Sequence, residues 1–170
     1  MKHPILNLDS VGEEGFPWQV RATFKGKSYV FSVLSPMMHV RIQSFTSEVE
    51  LRAKWWDVKP GDVVIDVGAA YGSYTLTALA AGAGLVISLD PDLDCFMRLC
   101  ENLVLNKGFM DRCRPMPILA GDNVGAYYYY PETHSSSIRK GEEAVRYGAT
   151  VDYLAMGLSR VDWIKVDVEG

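Results

Sequence analysis

From Asp66 to Asp90 no charged residue intervenes, and most of the positions between them are apolar. The run is long enough to span a membrane as a helix. Gly68, Gly72, Gly82 and Gly84 punctuate it, however, and the segment that opens it, Asp62-Val63-Val64-Ile65-Asp66-Val67, is β-branched. Strand, turn, helix, turn, strand accounts for the pattern, because buried elements of α/β proteins also read as continuous apolar runs. The pattern therefore predicts a strand over 62–67, a helix over 73–81 closed by Gly82, and a second strand over 85–89 ended by Asp90-Pro91-Asp92. Phe96, Leu99 and Leu103 recur at helical spacing, so Asp92 or Asp94 caps a helix that runs to Asn106 and stops at Lys107-Gly108.

On either side of this centre the pattern changes. Residues 16–34 alternate in a strand-like way around Lys25-Gly26-Lys27, which predicts a β-hairpin. Residues 46–56 read as a helix, with Thr46 or Ser47 as N-cap and Glu48 in the first turn, where a carboxylate suits the helix dipole. Pro115 to Leu119 fits a third strand, Tyr127 to Tyr130 a further one, residues 131–141 a loop, and Val161 to Asp167 a last strand. Strands alternating with helices of this length imply βαβ units, a parallel sheet and right-handed crossovers. The expected fold class is α/β: residues 1–45 form an amino-terminal extension with the hairpin, and residues 46–170 form the main domain. The chain stops at Glu169-Gly170, directly after a strand, which suggests a carboxyl-terminally incomplete sheet with a bare edge.

Composition narrows the function classes. With 170 residues and 48% hydrophobic content the chain can bury one core. The net charge of -4 and the scattered basic residues give no electrostatic reason to expect nucleic acid, and no segment reads as a membrane anchor. Three cysteines, Cys95, Cys100 and Cys113, lack metal-ligand spacing and read as reduced thiols of a cytoplasmic protein. No metal site is expected.

The chemistry concentrates in Asp66-x-Gly68-x-x-x-Gly72, where a strand becomes a helix. Glycines belong there because a ligand approaches the backbone closely and the turn uses φ values that side chains resist. A dinucleotide loop reads G-x-G-x-x-G and meets a diphosphate. Here a carboxylate stands two residues ahead of the first glycine, which repels a diphosphate and attracts a sulfonium ligand bearing an ammonium group. Asp90, about twenty residues further along at the end of the second strand, is placed to accept both hydroxyls of a ribose. Asp122 and Asn123 lie after the third strand, either near an adenine or in an ordinary turn.

At these residues the sequence resembles the FkbM-type methyltransferases. Pro60 to Ala69 with Gly72-x-Tyr74-Thr75 resembles the family's opening motif, Leu89-Asp90-Pro91 its acidic-proline pair, and Asn102-x-x-x-Asn106 its paired asparagines. Ser136-Ser137-Ile138 is similar to a serine-rich loop, and Ile164-Lys165-Val166-Asp167-Val168-Glu169-Gly170 to the I-K-x-D-x-E-G signature. Ala70 stands where the family usually has asparagine, and Asp90 where it usually has glutamate. The resemblance runs from about Glu48 to the last residue. It implies a class I, Rossmann-like sheet that binds S-adenosyl-L-methionine and methylates a hydroxyl on a small metabolite, sugar or polyketide. The candidate cofactor contacts are Asp66, Gly68, Ala69, Tyr71, Gly72, Tyr74, Asp90, Asp122 and Asn123. Asp167 and Glu169 alternate with Lys165 on one strand face and are candidates for catalysis, against a reading of Asp167 as the ion-pair partner of Lys165. His134, flanked by Thr133 and Ser135, is a candidate base or simply a solvated side chain. Glu48 either reaches the cofactor or serves the helix dipole, and the tyrosines at 127–130 either stack on a ring or fill a strand. Two other readings stay open: a nucleotide-dependent oxidoreductase, and a non-catalytic truncated module.

Overall fold

A computed structural model describes residues 6–11, 18–52, 54–129 and 144–168. The first three strands are β1 (Leu6–Val11), β2 (Trp18–Phe24) and β3 (Lys27–Val33), joined as an antiparallel sheet. The predicted hairpin is thus present, with β1 added to its far side. Its turn, Lys25-Gly26, has positive φ at both residues, the backbone whose twist matches the flanking strands. Alternation in β3 buries Tyr29, Phe31 and Val33 on one face.

Helix α1 (Pro36–Leu51) begins ten residues before the expected start at Thr46. Ser35 accepts the N–H of Met38 at 3.2 Å and Pro36 occupies the first helical position, a stronger start than Thr46 or Ser47. Ser47 lies inside the helix, its hydroxyl donating back to the Gln43 carbonyl at 2.7 Å. Glu48 consequently sits in the last turn, where the dipole disfavours it, and pairs with Arg52 at 2.6 Å.

The central sheet contains β4 (Val63–Val67), β5 (Leu85–Leu89), β6 (Cys113–Met116) and β10 (Trp163–Val166), all parallel, in the order β10-β4-β5-β6. Helices α2 (Ser73–Ala81) and α3 (Leu93–Leu105) follow β4 and β5, as the apolar pattern predicts. The expected strand at 115–119 is divided. Its start belongs to β6, whereas Leu119–Ala120 (β7) joins a small sheet of order β7-β9-β8, with β8 at Gly125–Tyr129 and β9 at Ala144–Ala149. The short helix α4 (Val151–Ala155) returns the chain towards β10. The loop expected at 131–141 lies outside the described residues.

Two apolar clusters cover the two faces of the central sheet. The larger joins Val64 and Val86 to Leu76, Leu79, Leu99 and Leu103, and continues into Val20, Phe31, Ile42 and Trp56. The amino-terminal sheet and α1 therefore share one core with the parallel sheet, and a boundary at residue 45 would cut through both α1 and that core. The smaller cluster holds Ile65, Val67, Ile87 and Leu89 with Ala149 and Leu154. Among the described residues no helix is long and apolar enough to cross a membrane.

Candidate functional site

The carboxyl ends of β4, β5 and β10 meet at the glycine loop. Gly68 has φ +73°, and a Cβ there would lie 2.0 Å from the Asp167 carbonyl oxygen, so the contact between β10 and the loop requires glycine. Gly72, at φ +96°, caps α2, and a Cβ there would meet Leu99 Cδ1 at 2.6 Å. Between them Ala70 adopts φ +47°, a left-handed conformation that asparagine tolerates better than alanine.

Hydrogen bonds fix the loop peptide by peptide. The N–H groups of Gly68 and Ala69 both donate to the Leu89 carbonyl at 2.9 Å, Ala70 N–H donates to Asp90 Oδ2 at 2.7 Å, and Gly72 N–H donates to the Ala69 carbonyl at 2.8 Å. The Tyr71 carbonyl accepts from Asn102 Nδ2 at 2.9 Å, and the Tyr71 hydroxyl accepts from Arg41 at 3.4 Å.

Asp66 occupies a different place from the one its sequence position suggests. Its side chain is fully buried beneath the loop. Oδ2 accepts the Thr75 hydroxyl at 2.7 Å, Thr75 lies 2.7 Å from the Ser88 hydroxyl, and Lys165 Nζ stands 3.2 Å from Oδ1. Its charge is cancelled internally, so Asp66 does not present a negative surface to a ligand. The expectation that Asp66 itself recognises a cationic ligand is corrected on this point.

Asp90 stays at the edge. Its Oδ1 accepts the Asp92 N–H at 2.9 Å, and burial pushes its carboxyl up to about 6 despite the two backbone donors. Asp92 caps α3 by accepting from Asp94 and Cys95 N–H, as predicted. Burial and these two carboxylates push the Cys95 thiol up, which leaves it protonated and unreactive. Asp167 follows β10, with its N–H on the Val67 carbonyl at 3.1 Å and its side chain 45% exposed beside Gly68.

Three expected contacts have other partners in the structure. Tyr74 is buried, its ring 5.2 Å from that of Trp56 and under the Lys165 ammonium, and burial pushes its hydroxyl up to about 12. It packs the core rather than lining the loop surface. Asp122 and Asn123 close a turn on the Tyr127 hydroxyl, 2.9 Å from Asp122 Oδ1 and 3.0 Å from Asn123 N. The Tyr127 ring lies where a Cβ on Gly121 or Gly148 would be, which favours the strand-filling role for this tyrosine. His134, Ser136, Ser137, Ile138 and Glu169 lie outside the described residues. Among the described residues no three His, Cys, Asp or Glu side chains converge as a metal site requires.

Sequence reasoning missed what holds the site in place. Asn102 Oδ1 accepts from Ser32 N–H at 2.7 Å, and Asn106 exchanges two 2.8 Å bonds with Val30, so the asparagine pair ties α3 to the backbone of β3 while Asn102 also holds the loop. The signal was two asparagines one turn apart in an otherwise apolar stripe.

No family model and no curated protein matches the chain. Its structure is similar to the crystal structure of the methyltransferase FkbM from Methylobacillus flagellatus KT, with 20% sequence identity and a TM-score of 0.47. The similarity covers 67% of this chain and 27% of that one, so the chain spans little more than a quarter of that protein's length.

Proposed function

We propose that the chain is an S-adenosyl-L-methionine-dependent methyltransferase domain that acts on a hydroxyl of a small metabolite, sugar or polyketide. One observation carries this reading: three carboxylates gather at the loop edge, the largely buried Asp90 and Asp92 and the half-exposed Asp167, while the lysine that contacts the loop, Lys165, is already paired with Asp66. Such an edge repels a diphosphate and attracts a sulfonium ligand with an ammonium group. The donor set fits the cofactor in a second respect. The hydroxyl of Ser73, at the start of α2, is buried without a partner in the protein.

When bound, the cofactor supplies a methyl group already activated by positive sulfur. The chain's own residues then have three tasks. The rigid loop orients the ligand, because each of its first three peptides is hydrogen-bonded. Asp90 retains acceptor capacity on both carboxylate oxygens for a ribose diol. Asp167, exposed beside Gly68, accepts the proton of the incoming hydroxyl or holds it in line. The acceptor is approached from solvent, and neither nucleic acid nor membrane is part of this reading.

Calorimetric titration of the chain with S-adenosylhomocysteine and with NADH tests it. Binding of the first alone is expected. Binding of NADH alone would assign the loop to a nucleotide-dependent oxidoreductase, and binding of neither would leave a non-catalytic module.

A further inference from the structure

Lys165 is the one charged side chain of β10, it is buried, and its surroundings are specific. Register places it directly beside Asp66 on the neighbouring parallel strand, and its side chain runs forward to the start of the glycine loop. There Nζ donates to the Gly68 carbonyl at 2.6 Å and to the Val67 carbonyl at 3.3 Å, with Asp66 Oδ1 at 3.2 Å and Asp167 Oδ2 at 3.8 Å. The Tyr74 ring lies 5.0 Å away beneath it. Two carbonyls and a carboxylate oxygen gathered at one buried point suit a compact group that only donates, and among side chains an ammonium is that group; Asp66 Oδ1 meets it as an ion-pair partner and makes no hydrogen bond of its own.

The two carbonyls matter because of the peptides they belong to. The Val67–Gly68 peptide gives its N–H to Leu89 and its carbonyl to Lys165 and to Asp167 N–H. The Gly68–Ala69 peptide gives its N–H to the same Leu89 carbonyl and its carbonyl to Lys165. Both planes are held from β5 on one side and from β10 on the other. At Gly68–Ala69 the hydrogen bond from the β10 side comes from this side chain, since the backbone hydrogen bonds of that strand end at Asp167 N–H. Glycine at 68 leaves φ soft, so the orientation of that peptide depends on what grips its carbonyl.

We propose that Lys165 is a positioning residue of the ligand site. It latches the first turn of the glycine loop by its carbonyls and neutralises the buried Asp66, while Asp167, 3.8 Å from the same ammonium and half-exposed, is the carboxylate on its open side. The proposal rests on the loop being a ligand site, and its test separates the two questions.

The double variant Lys165→Met/Asp66→Asn removes both charges at matched size, so no buried ion is left alone. Backbone amide exchange is compared at Gly68 and Ala69 and, as an internal reference for global stability, at Val86 and Ile87 in β5. A latch predicts that exchange at 68 and 69 quickens by about tenfold or more relative to β5, with a matching loss of S-adenosylhomocysteine affinity. A lysine that merely supports the fold would shift the loop and β5 together, and that result overturns the proposal. Should the wild-type protein bind no S-adenosylhomocysteine, the methyltransferase reading falls, while the exchange ratio still decides the latch. The wild-type chain offers a second measurement that needs no variant. The Nζ protons of Lys165 should exchange with water far more slowly than those of exposed Lys27, and equal rates would refute the latch.

Discussion

The two faces of β10 contrast in a way that ordinary burial rules do not anticipate. On one face Lys165 is 9% exposed, packed with Asp66, Thr75 and Ser88 under the glycine loop. On the other, Ile164 and Val166 are 50% and 60% exposed, although they extend the row formed by Ile65 and Val67 in the next strand. Polar groups lie inside and apolar groups outside. The inside arrangement is sustainable because each charge has a partner within the protein, whereas the outside one leaves Ile164 and Val166 side by side as an exposed apolar row. Burial at this edge follows the supply of partners for the loop, and hydrophobicity governs only where the loop is remote.

The contrast is broken most severely by removing a partner from the polar face. Asp66→Ala leaves the buried Lys165 ammonium with only the half-exposed Asp167 carboxylate at 3.8 Å, and the expected loss is about 3–5 kcal/mol in a denaturant or thermal unfolding experiment. Asp66→Asn, which keeps an acceptor for the Thr75 hydroxyl, should cost less. A loss below about 1 kcal/mol for the alanine variant would show that the pair behaves as a solvated one and that the face is not truly closed.

Asn102→Ala probes the same logic one layer further out, on α3. It strips two partners at once, from the Ser32 N–H and from the Tyr71 carbonyl. Each of these part-buried backbone groups left unpaired costs towards the low end of about 1–3 kcal/mol, so destabilisation of about 2–4 kcal/mol is expected, with weaker S-adenosylhomocysteine binding because Tyr71 belongs to the loop. Loss of stability with binding unchanged would confine Asn102 to holding β3.

The elements that the sequence makes plain are those whose apolar runs are bounded by turn residues: β4, α2, β5, α3 and β10. The first four bury their apolar residues against the sheet, so local pattern and tertiary environment agree, whereas β10 keeps its strand conformation with Ile164 and Val166 exposed. β9 and α4 went unread because Ala144–Ala149 owes its strand conformation to β8 and to the Tyr127 ring seated over Gly148, neither of which shows in a six-residue window. The start of α1 was misplaced because Thr46 and Ser47 look like caps, while the operative signal was the pair Ser35-Pro36. At the candidate site, the place of Asp90 and the loop glycines at the strand-to-helix turn was legible from spacing. The role of Asp66 was not, since alternation along β10 shows that Lys165 and Asp167 share a face but cannot show which strand lies alongside. Once β4 is known to be that neighbour, Asp66 falls opposite Lys165 and the charge arithmetic of the edge changes hands to Asp90, Asp92 and Asp167.

Asp90 stands between the two extremes, a carboxylate buried without a lysine. Its folded-state carboxyl, at about 6, lies above the ordinary value of 3.8. A raised acid stabilises the fold fully below the unfolded value and loses that contribution as pH rises through the folded one. The ligand-free chain should therefore lose stability from this group between about pH 4 and pH 6, and Asp90→Asn should remove that slope from a series of thermal melts. A ribose diol donates to the ionised form, so S-adenosylhomocysteine affinity should weaken as pH falls through about 6, and the asparagine variant should not follow. A flat affinity profile in the wild-type chain would place the ligand away from Asp90.

The smallest effect is expected on the apolar face. Val166→Thr keeps the β-branch and the strand preference while adding a hydroxyl that a 60% exposed position can hydrate. Its backbone pairing with Val67 is untouched by the exchange. Unfolding free energy should change by no more than about 0.5 kcal/mol, the usual range for surface positions. The same substitution at Val67, its buried neighbour in the row, sets a hydroxyl among Ile65, Ile87 and Leu89 and should cost about 1–3 kcal/mol. If the two substitutions proved equally costly in urea melts, Val166 would be covered in solution and the asymmetry between the two faces of β10 would vanish. If Val166→Thr alone were silent, the strand would be confirmed as one whose inward face is built around the loop's charges and whose outward face is tolerant of change.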